Sequence, residues 1–541
     1  MKPWAGLTVT LLLGAILAFL SVAGPRPGRI DDSPAVFSSA RAMADIRVIA
    51  AEPHPVGSPA NAKVRDYLVG RMRSLGLEPR VQRAVVRGVA VENLIGVLRG
   101  ADRGAPALAL MAHYDSAPGS PGAGDDASGV AAILEIVRAL KVRGVPVRDV
   151  AVLITDGEEA NLLGARALFA ADPIAARIGL VINLETRGGG GRAVMFETNP
   201  GNGALVSALQ GAAVAPVATS VTNFVYQRMP NSTDLGVAIG AGKLGYNFAF
   251  IDRQVDYHTA TATVDRLELG AVQSMGRQAL KLTQHLAFAP ALPARAPDKV
   301  YSHTFGDLII AYPPAFGWVV WAAALGLLAG AVWRARAHLK WTHVVLGAAL
   351  SPLMLIGPGL VLWAARMGTG HGFGFRAQQP LLQQFGLWET AIVLICAASL
   401  ALAARLVGRR SGSPGVWLGL LIIGAAGAGV VQQLAPLVAY LLTWPLLLAA
   451  AGAAAGLGGE RRFAPTAFLV ALAAVSVGWI TAIGHYIAIG LDEPWLLSAF
   501  VWLSASALWP LLAPVGDDRK IGWAAALIPA VAAAVIVAIL R

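Results

Sequence analysis

The chain has 541 residues, of which 56% are hydrophobic and only 14% are charged. About a quarter of the residues of an ordinary soluble protein are charged, so this composition excludes a wholly soluble protein and indicates contact with lipid. The formal net charge is +11, but the chain has no long basic run and no aromatic-interleaved basic motif, which argues against nucleic-acid binding. The single cysteine, Cys396, excludes an intrachain disulfide and a thiolate zinc site, so any metal must be held by histidines and carboxylates.

The first predicted element is an uncharged apolar stretch of 20 residues, Trp4 to Ala23, which follows Lys2. Its length suits a membrane-spanning helix, and residues 1–24 are therefore predicted to form an N-terminal transmembrane anchor. Ser21-Val22-Ala23 also resembles a cleavage site, so a cleaved signal peptide is the alternative. Both interpretations place the following residues outside the cytoplasm.

Residues 37–288 have the composition of a soluble domain in which short apolar runs alternate with helical patterns. The predicted buried strands are Ala107–Ala112, Val150–Thr155, Gly179–Glu185 and Gly245–Ile251, and the predicted helices are Ala127–Val142, Asn161–Ala170 and Asp265–Ala287. This alternation predicts an α/β domain with a mostly parallel central sheet. Residues 289–312, which begin with a proline-rich stretch, are predicted to be a linker.

Residues 313–541 are predicted to form an all-α, multi-pass transmembrane domain of about eight helices. The apolar segments are Pro313–Trp333, Trp341–Ala365, Gly386–Ala404, Pro414–Val431, Leu434–Leu457, Pro465–Leu491, Pro494–Val515 and Gly522–Leu540. Ten positive charges lie in alternate loops, namely Arg334, Arg336, Lys340, Arg405, Arg409, Arg410, Arg461, Arg462, Arg519 and Lys520. The other loops hold only Arg366 and Arg376, and one of them carries Asp492 and Glu493. Because cytoplasmic loops are enriched in Lys and Arg, this asymmetry predicts a cytoplasmic N-terminus and a soluble domain on the opposite side.

Five polar stretches of the soluble domain lie where a predicted strand ends or a predicted helix begins. They are residues 111–116 (Met-Ala-His-Tyr-Asp-Ser), 122–129 (Gly-Ala-Gly-Asp-Asp-Ala-Ser-Gly), 155–159 (Thr-Asp-Gly-Glu-Glu), 183–186 (Asn-Leu-Glu-Thr) and 255–260 (Val-Asp-Tyr-His-Thr-Ala). Ligands of open α/β sheets bind beyond the carboxyl ends of the strands, so these stretches are expected to converge. A pair of zinc ions requires nitrogen and oxygen ligands, an open position for water and a carboxylate that can bridge the metals. The pair Glu158-Glu159 would suit a division of labour in which one carboxylate binds metal and its neighbour takes a proton from the metal-bound water.

In this order, the five stretches resemble the zinc aminopeptidase family, which also includes the glutamate carboxypeptidases and the transferrin receptor. The layout, with one helix before the domain and eight after it, is similar to that of the membrane-bound endoplasmic reticulum and vacuolar metallopeptidases. The resemblance covers about residues 38–288. It implies a phosphorylase/hydrolase-like zinc exopeptidase fold, two zinc ions, and peptide or protein substrates that are cut at or near the N-terminus.

The resemblance also assigns roles to individual residues. The implied metal ligands are His113, Asp125, Glu159, Glu185 and His258. Asp125 would bridge the two zinc ions, and Glu185 would share one zinc with His113, at a position where soluble members of the family typically carry Asp. Asp115 would orient His113, and Glu158 would be the general base that activates a metal-bridging water.

Several alternatives stay open. A glutaminyl cyclase-like acyltransferase would use a single zinc, and a non-catalytic membrane receptor or scaffold would use none. Tyr246 and Tyr257 are rival candidates for stabilising an oxyanion, and His485 is a candidate functional residue within a predicted membrane helix. The chain is expected to be an integral, multi-pass membrane protein. Its catalytic domain is expected to face the periplasm of a bacterium or the vacuolar or endoplasmic reticulum lumen of a eukaryote.

Overall fold

The computed structural model describes residues 3–212, 217–305, 308–374, 376–410, 413–457 and 467–541. The chain divides into two compact units. The sheet unit is Ala23–Tyr312, and the helical unit consists of Met1–Val22 together with Pro313–Arg541. The first helix of the chain, α1 (Pro3–Val22), belongs to the helical unit.

The sheet unit is built on a mixed sheet of seven strands in the order β1-β2-β4-β3-β5-β7-β6. The strands are β1 (Arg80–Val86), β2 (Val89–Leu98), β3 (Ala107–His113), β4 (Val150–Thr155), β5 (Ile178–Thr186), β6 (Val194–Thr198) and β7 (Leu244–Phe250). The four central strands β4, β3, β5 and β7 run parallel to their neighbours within this group, whereas β1, β2 and β6 pair antiparallel at the edges. The strand pairing confirms the predicted α/β fold with a mostly parallel sheet.

Helices cover both faces of this sheet. They are α2 (Ser39–Ile49), α3 (Pro59–Ser74), α4 (Ala127–Arg143), α5 (Leu163–Ala171), α6 (Pro173–Arg177), α7 (Gly203–Ala212), α8 (Ser220–Tyr226), α9 (Asp234–Gly240) and α10 (Leu269–Ala287). Alternate residues of β3 point to opposite faces, so Leu108 and Leu110 pack in a core with α4 and α10, while Ala109 and Met111 pack in a second core with α5 and α9. Burial on both faces explains why the central strands are continuous apolar runs.

Two predicted helices begin later than the sequence pattern indicates. The helix predicted from Asn161 begins at Leu163, because Asn161 and Leu162 adopt left-handed backbone conformations with φ of 78° and 61°. The helix predicted from Asp265 begins at Leu269, after a 3-10 turn. Residues 289–312, predicted to be a linker, lie within the sheet unit and contain the antiparallel pair β8 (Val300–His303) and β9 (Ile309–Tyr312).

All eight predicted apolar segments of the helical unit contain a helix among the described residues. The helices are α11 (Phe316–Ala335), α12 (Trp341–Gly368), α13 (Gln379–Gln383), α14 (Phe385–Val407), α15 (Pro414–Leu434), α16 (Tyr440–Gly456), α17 (Ala467–Gly490), α18 (Ser498–Asp517) and α19 (Arg519–Ile539). In the described part of the chain, eight spans including α1 are long and apolar enough to cross a membrane, and α16 is a shorter apolar helix. The predicted basic loop with Arg461 and Arg462 lies outside the described residues.

Among the described residues of the helical unit, two pairs of ionisable side chains make contacts between distant helices or loops. Arg366, at the end of α12, is fully buried and binds the carboxylate of Asp492 through two hydrogen bonds of 2.8 and 2.7 Å. His485 on α17 contacts Glu389 on α14 through its Nδ1 atom. The predicted candidate His485 therefore has a polar partner, as polar side chains within a membrane-spanning helix usually do.

Candidate metal centre

Four of the predicted site residues lie at the carboxyl ends of parallel strands. His113 is the last residue of β3, and Glu158 and Glu159 lie in the turn that follows β4. Glu185 is the penultimate residue of β5. Because these strands are parallel, their carboxyl ends lie at one edge of the sheet, and the side chains converge there.

Loops bring the remaining two predicted ligands, Asp125 and His258, to the same edge. Asp125 precedes α4, whose N-cap is Asp126, and the Asp126 carboxylate accepts a hydrogen bond of 3.0 Å from Gly129 N. The adjacent Gly124 packs so closely that a Cβ there would lie 2.4 Å from the carbonyl oxygen of Gly188. His258 follows β7 and has a φ of 54°, a left-handed conformation that is uncommon for a residue other than glycine.

The two oxygens of Asp125 face two different histidines. Oδ1 lies 3.0 Å from His113 Nε2, and Oδ2 lies 3.0 Å from His258 Nε2. A second carboxylate lies beside each imidazole: Glu185 Oε2 is 3.7 Å from His113 Nε2, and Glu159 Oε1 is 2.9 Å from His258 Nε2. The five residues therefore form two lobes that share Asp125. The first lobe consists of His113 and Glu185, and the second consists of Glu159 and His258.

The donor atoms of these lobes fit metal ions. Ligand atoms of Asp125, Glu159 and His258 lie within 4.8 Å of one another, and so do ligand atoms of His113, Glu185 and Asp126. Imidazole nitrogens and carboxylate oxygens are suitable zinc ligands. Asp126, which the sequence did not single out as a ligand, is engaged by the backbone N–H groups of Gly129 and His113, so Asp125 remains the better-placed carboxylate for the first lobe.

The electrostatics of the site also favour bound cations. Burial raises the pKa of Glu158 and Glu185 well above the usual range and raises that of Glu159 to about 7, because few positive charges compensate these carboxylates. Burial lowers the pKa of His258, but hydrogen bonds to Asp125 and Glu159 outweigh burial and raise it to about 10. Divalent cations would allow these buried carboxylates to remain ionised.

Asp115 links the first lobe to the turn after β4. Its carboxylate is fully buried and accepts hydrogen bonds of 3.0 Å from Glu158 N and 3.2 Å from Glu159 N. The same carboxylate lies 3.4 Å from His113 Nδ1, which also contacts the Asp115 carbonyl oxygen at 2.9 Å. With Nδ1 engaged in this way, His113 presents Nε2 to Asp125 and Glu185.

The structure separates the two tyrosine candidates. Tyr246 is fully buried and donates its hydroxyl hydrogen bond to Leu205 O at 2.8 Å, which removes it from the site. Tyr257 stacks on His258, with ring centroids 3.7 Å apart and an interplanar angle of 22°. Asp125 and Glu159 both act on the hydroxyl of Tyr257, since their charges add to burial in raising its pKa.

Sequence reasoning gave no role to the two asparagines that lie beside Glu185. Asn183 donates a hydrogen bond to Glu185 Oε1, and Asn247 pairs with Asn183 from the neighbouring strand. The available signal was a polar residue at an inward position of a buried strand, two residues before a predicted ligand.

The mostly parallel sheet thus carries a cluster of histidines and carboxylates at one edge. Residues 93–283 match the model of peptidase family M28, and the chain therefore carries an M28 peptidase domain, the zinc-dependent peptidase class that its sequence resembles. The resemblance to zinc-dependent and membrane-bound peptidases that the sequence indicates is confirmed at the level of the family.

The chain is also similar to curated membrane proteases. It is 34% identical over 238 residues to the endoplasmic reticulum metallopeptidase 1 of Mus musculus, covering 42% of this chain and 26% of that protein. It is 30% identical over 346 residues to the vacuolar membrane protease of Eremothecium gossypii, covering 58% of this chain and 31% of that protein. The chain thus spans about a quarter to a third of the length of these relatives.

Two solved structures align with just under half of this chain. An aminopeptidase from Aneurinibacillus sp. strain AM-1 aligns over 48% of this chain and 97% of its own length, with 14% identity and a TM-score of 0.41. A Porphyromonas gingivalis glutaminyl cyclase aligns over 46% of this chain and 98% of its own length, with 18% identity and a TM-score of 0.38.

Proposed function

We propose that this chain is a membrane-anchored di-zinc metallopeptidase that hydrolyses peptide bonds at or near the N-terminus of peptide or protein substrates. The observation that carries the proposal is the position of Asp125, whose two carboxylate oxygens each lie 3.0 Å from the Nε2 atom of a different histidine. One carboxylate that faces two separate ligand groups suits a pair of metal ions that share it.

The proposed ligands follow from the two lobes. His113 and Glu185 would hold one zinc, Glu159 and His258 would hold the other, and Asp125 would bind both. Bound zinc would supply Lewis-acid polarisation of the scissile carbonyl group and would lower the pKa of water. Asp115 would keep His113 in the tautomer that leaves Nε2 unprotonated.

Glu158 is the proposed proton carrier of the reaction. Its backbone N–H is held by Asp115, yet its carboxylate is not part of either ligand group among the described residues. Burial raises the pKa of Glu158, which suits a carboxylate that must both accept and release a proton during the reaction. Glu158 would take the proton of the attacking water and pass it to the nitrogen of the leaving amine.

Tyr257 is the proposed donor to the developing oxyanion. Its ring is held against His258, and its hydroxyl is influenced by Asp125 and Glu159. A phenol donates one hydrogen bond, which is worth more to an oxyanion than to the neutral carbonyl oxygen from which the oxyanion forms.

The proposed location is a membrane, with the sheet unit on the non-cytoplasmic side, either the periplasmic side of a bacterial inner membrane or a vacuolar or reticulum lumen. The basic residues of alternate loops support this orientation. Arg366, at the end of α12, is one of the two positive charges on the opposite side. Its pairing with Asp492 neutralises that charge and strengthens the asymmetry. Close packing of Gly478 on α17 against Gly14 on α1 supports a retained anchor over a cleaved signal peptide.

The experiment that tests this function compares peptides with free and acetylated N-termini, using the full-length protein in detergent. We expect chelator-sensitive hydrolysis of the free peptides only, and a loss of roughly 100- to 10,000-fold for Glu158→Gln. Glu52→Gln, at an exposed glutamate paired with Lys63, is the matched control and should retain activity. Cleavage inside blocked peptides would refute N-terminal specificity, whereas cyclisation of N-terminal glutamine without hydrolysis would assign the site to a cyclase.

A further inference from the structure

A row of polar side chains crosses the sheet beside Glu185. Asn183 on β5 is in register with Asn247 on β7, and Asn247 is in register with Glu197 on β6. Both asparagines are fully buried, and Glu197 is 9% exposed. Buried polar groups destabilise a fold unless they are hydrogen-bonded, so a row that crosses three strands needs a physical explanation.

The row replaces apolar residues at the end of one sheet face. Val181 belongs to the core that α5 and α9 cover, and Asn183 and Glu185 follow it at alternate positions of β5. Alternate residues of a strand point to the same face, so this face changes from apolar to polar at the candidate metal centre. Asn183 and Asn247 therefore lie next to Glu185, buried on the same face of the sheet, rather than in the solvent.

The hydrogen bonds of the row run in one direction. Asn247 Nδ2 donates to Glu197 Oε2 at 2.9 Å and to Thr233 Oγ1 at 2.7 Å, so both of its hydrogens are used. Asn247 Oδ1 then accepts from Asn183 Nδ2 at 3.0 Å. Asn183 Nδ2 has a second hydrogen, and it donates this to Glu185 Oε1 at 3.3 Å. Glu197 Oε2 and Thr233 Oγ1 accept both hydrogens of Asn247 and so set the orientation of its amide. The Asn247 oxygen then sets the orientation of the Asn183 amide.

We propose that Asn183, Asn247 and Glu197 are positioning residues that hold Glu185 for metal binding, an inference that rests on the proposed function. Asn183 holds Oε1, and this leaves Oε2 directed at the first lobe, 3.7 Å from His113 Nε2. We call the hydrogen-bonded row of Asn183, Asn247 and Glu197 the relay. The relay selects which oxygen of Glu185 becomes the ligand. An aspartate at position 185 is one methylene shorter, so it would not span the distance from Asn183 to the lobe in the same way.

The test measures zinc affinity of the full-length protein in detergent by competition with a coloured chelator. Asn183→Leu and Asn247→Leu are each expected to lower the affinity for one of the two zinc ions by about 10- to 100-fold. This is the usual effect of removing a hydrogen-bond partner of a metal ligand. The other zinc should keep the affinity it has in the unsubstituted protein. Asn247→Asp, of nearly equal volume, removes the donor to Glu197 and is expected to give the same selective loss if Asn247→Leu does not fold.

A matched control separates positioning from general stability. Asn199 is also fully buried and hydrogen-bonded, accepting from Gly245 N at 2.7 Å and donating to Lys243 O at 2.8 Å. Asn199→Leu is expected to lower the thermal midpoint while both zinc affinities stay unchanged. An equal loss of zinc affinity in the control would show that the relay variants act through stability, and would overturn the proposal.

A double-substitution cycle tests whether the relay acts through Glu185. In a Glu185→Ala background, Asn247→Leu should cause no further change in zinc affinity, whereas an additive loss would overturn the relay. If the unsubstituted protein binds no zinc, the proposed function itself fails. If it binds two zinc ions and Asn247→Leu binds them equally well, only the relay is refuted.

Discussion

Replacing Asp115 with asparagine tests how the candidate metal centre is held together. The Asp115 carboxylate accepts from two backbone N–H groups, Glu158 N and Glu159 N, and lies beside His113 Nδ1. An asparagine has one acceptor oxygen, so one N–H group would lose its acceptor and face an NH2 group instead. These backbone donors cannot rotate away, because they belong to the turn that follows β4.

The expected magnitude follows from these contacts. A hydrogen bond to a charged group contributes about 1.5–3 kcal/mol, so Asp115→Asn should lower the free energy of unfolding of the sheet unit by about 2–3 kcal/mol. For a unit of this size that corresponds to a thermal midpoint lower by roughly 4–12 °C. Zinc affinity should fall by about 10- to 100-fold, because His113 loses the carboxylate that orients it.

Asp156→Asn is the matched control, at a second buried aspartate on the adjacent strand end. The Asp156 carboxylate accepts from Glu92 N and from Asn61 Nδ2. Burial, followed by the charge of Asp115, raises the pKa of Asp156 to about 7, so asparagine resembles the protonated form. The Asn61 amide can rotate to pair with the new amide. Thermal scanning fluorimetry and zinc titration should therefore separate the two variants, and equal effects at both positions would refute this reasoning.

Three further predictions concern other parts of the chain. Asp492→Ala leaves the buried Arg366 without its carboxylate and should destabilise the helical unit by about 3–5 kcal/mol in detergent unfolding, whereas Asp31→Ala, which breaks the exposed pair with Arg29, should change stability by less than about 1 kcal/mol. In the metal-free protein, the lowering effect of burial is outweighed by hydrogen bonds, which raise the pKa of His258 to about 10, from an unfolded value near 6.5. The stability that its proton contributes is therefore present below pH 6.5 and should be lost as pH rises to about 10. In thermal scans of chelator-treated protein, added zinc should remove this pH dependence, and a flat pH profile without zinc would contradict the prediction. Tyr257→Phe should lower kcat by roughly 100- to 1,000-fold in steady-state assays with zinc content unchanged, and an unchanged kcat would exclude the hydroxyl from the reaction.

The sequence predicts the centre of the sheet better than its edges. β3, β4, β5 and β7 are apolar runs buried on both faces, and all four were predicted within a few residues. β1 and β2 are half-buried and carry charged residues such as Arg83 and Glu92, so their apolar pattern is weak. They are joined by a tight turn in which Arg87 and Gly88 have φ of 50° and 82°.

The same distinction applies to the candidate site. The histidines and carboxylates lie in short motifs at strand ends, which the resemblance could assign position by position. The relay behind Glu185 depends on the register of β5, β7 and β6, whose paired residues Asn183 and Asn247 are 64 positions apart in the chain. Likewise, Arg366 and Asp492 are separated by 126 positions, and no local pattern marks them as partners. Contacts of this kind become visible only when the strands and helices are placed in space.

The measurement that tests the di-zinc centre most directly is zinc content, determined by atomic emission on the full-length protein and its Glu159→Gln and Glu185→Gln variants. These two glutamates lie in different lobes, each beside one of the histidines that face Asp125. We expect about two zinc ions per chain in the unsubstituted protein and about one in each variant. A single zinc ion in the unsubstituted protein, or variants that retain both ions, would contradict a pair of metals bridged by Asp125.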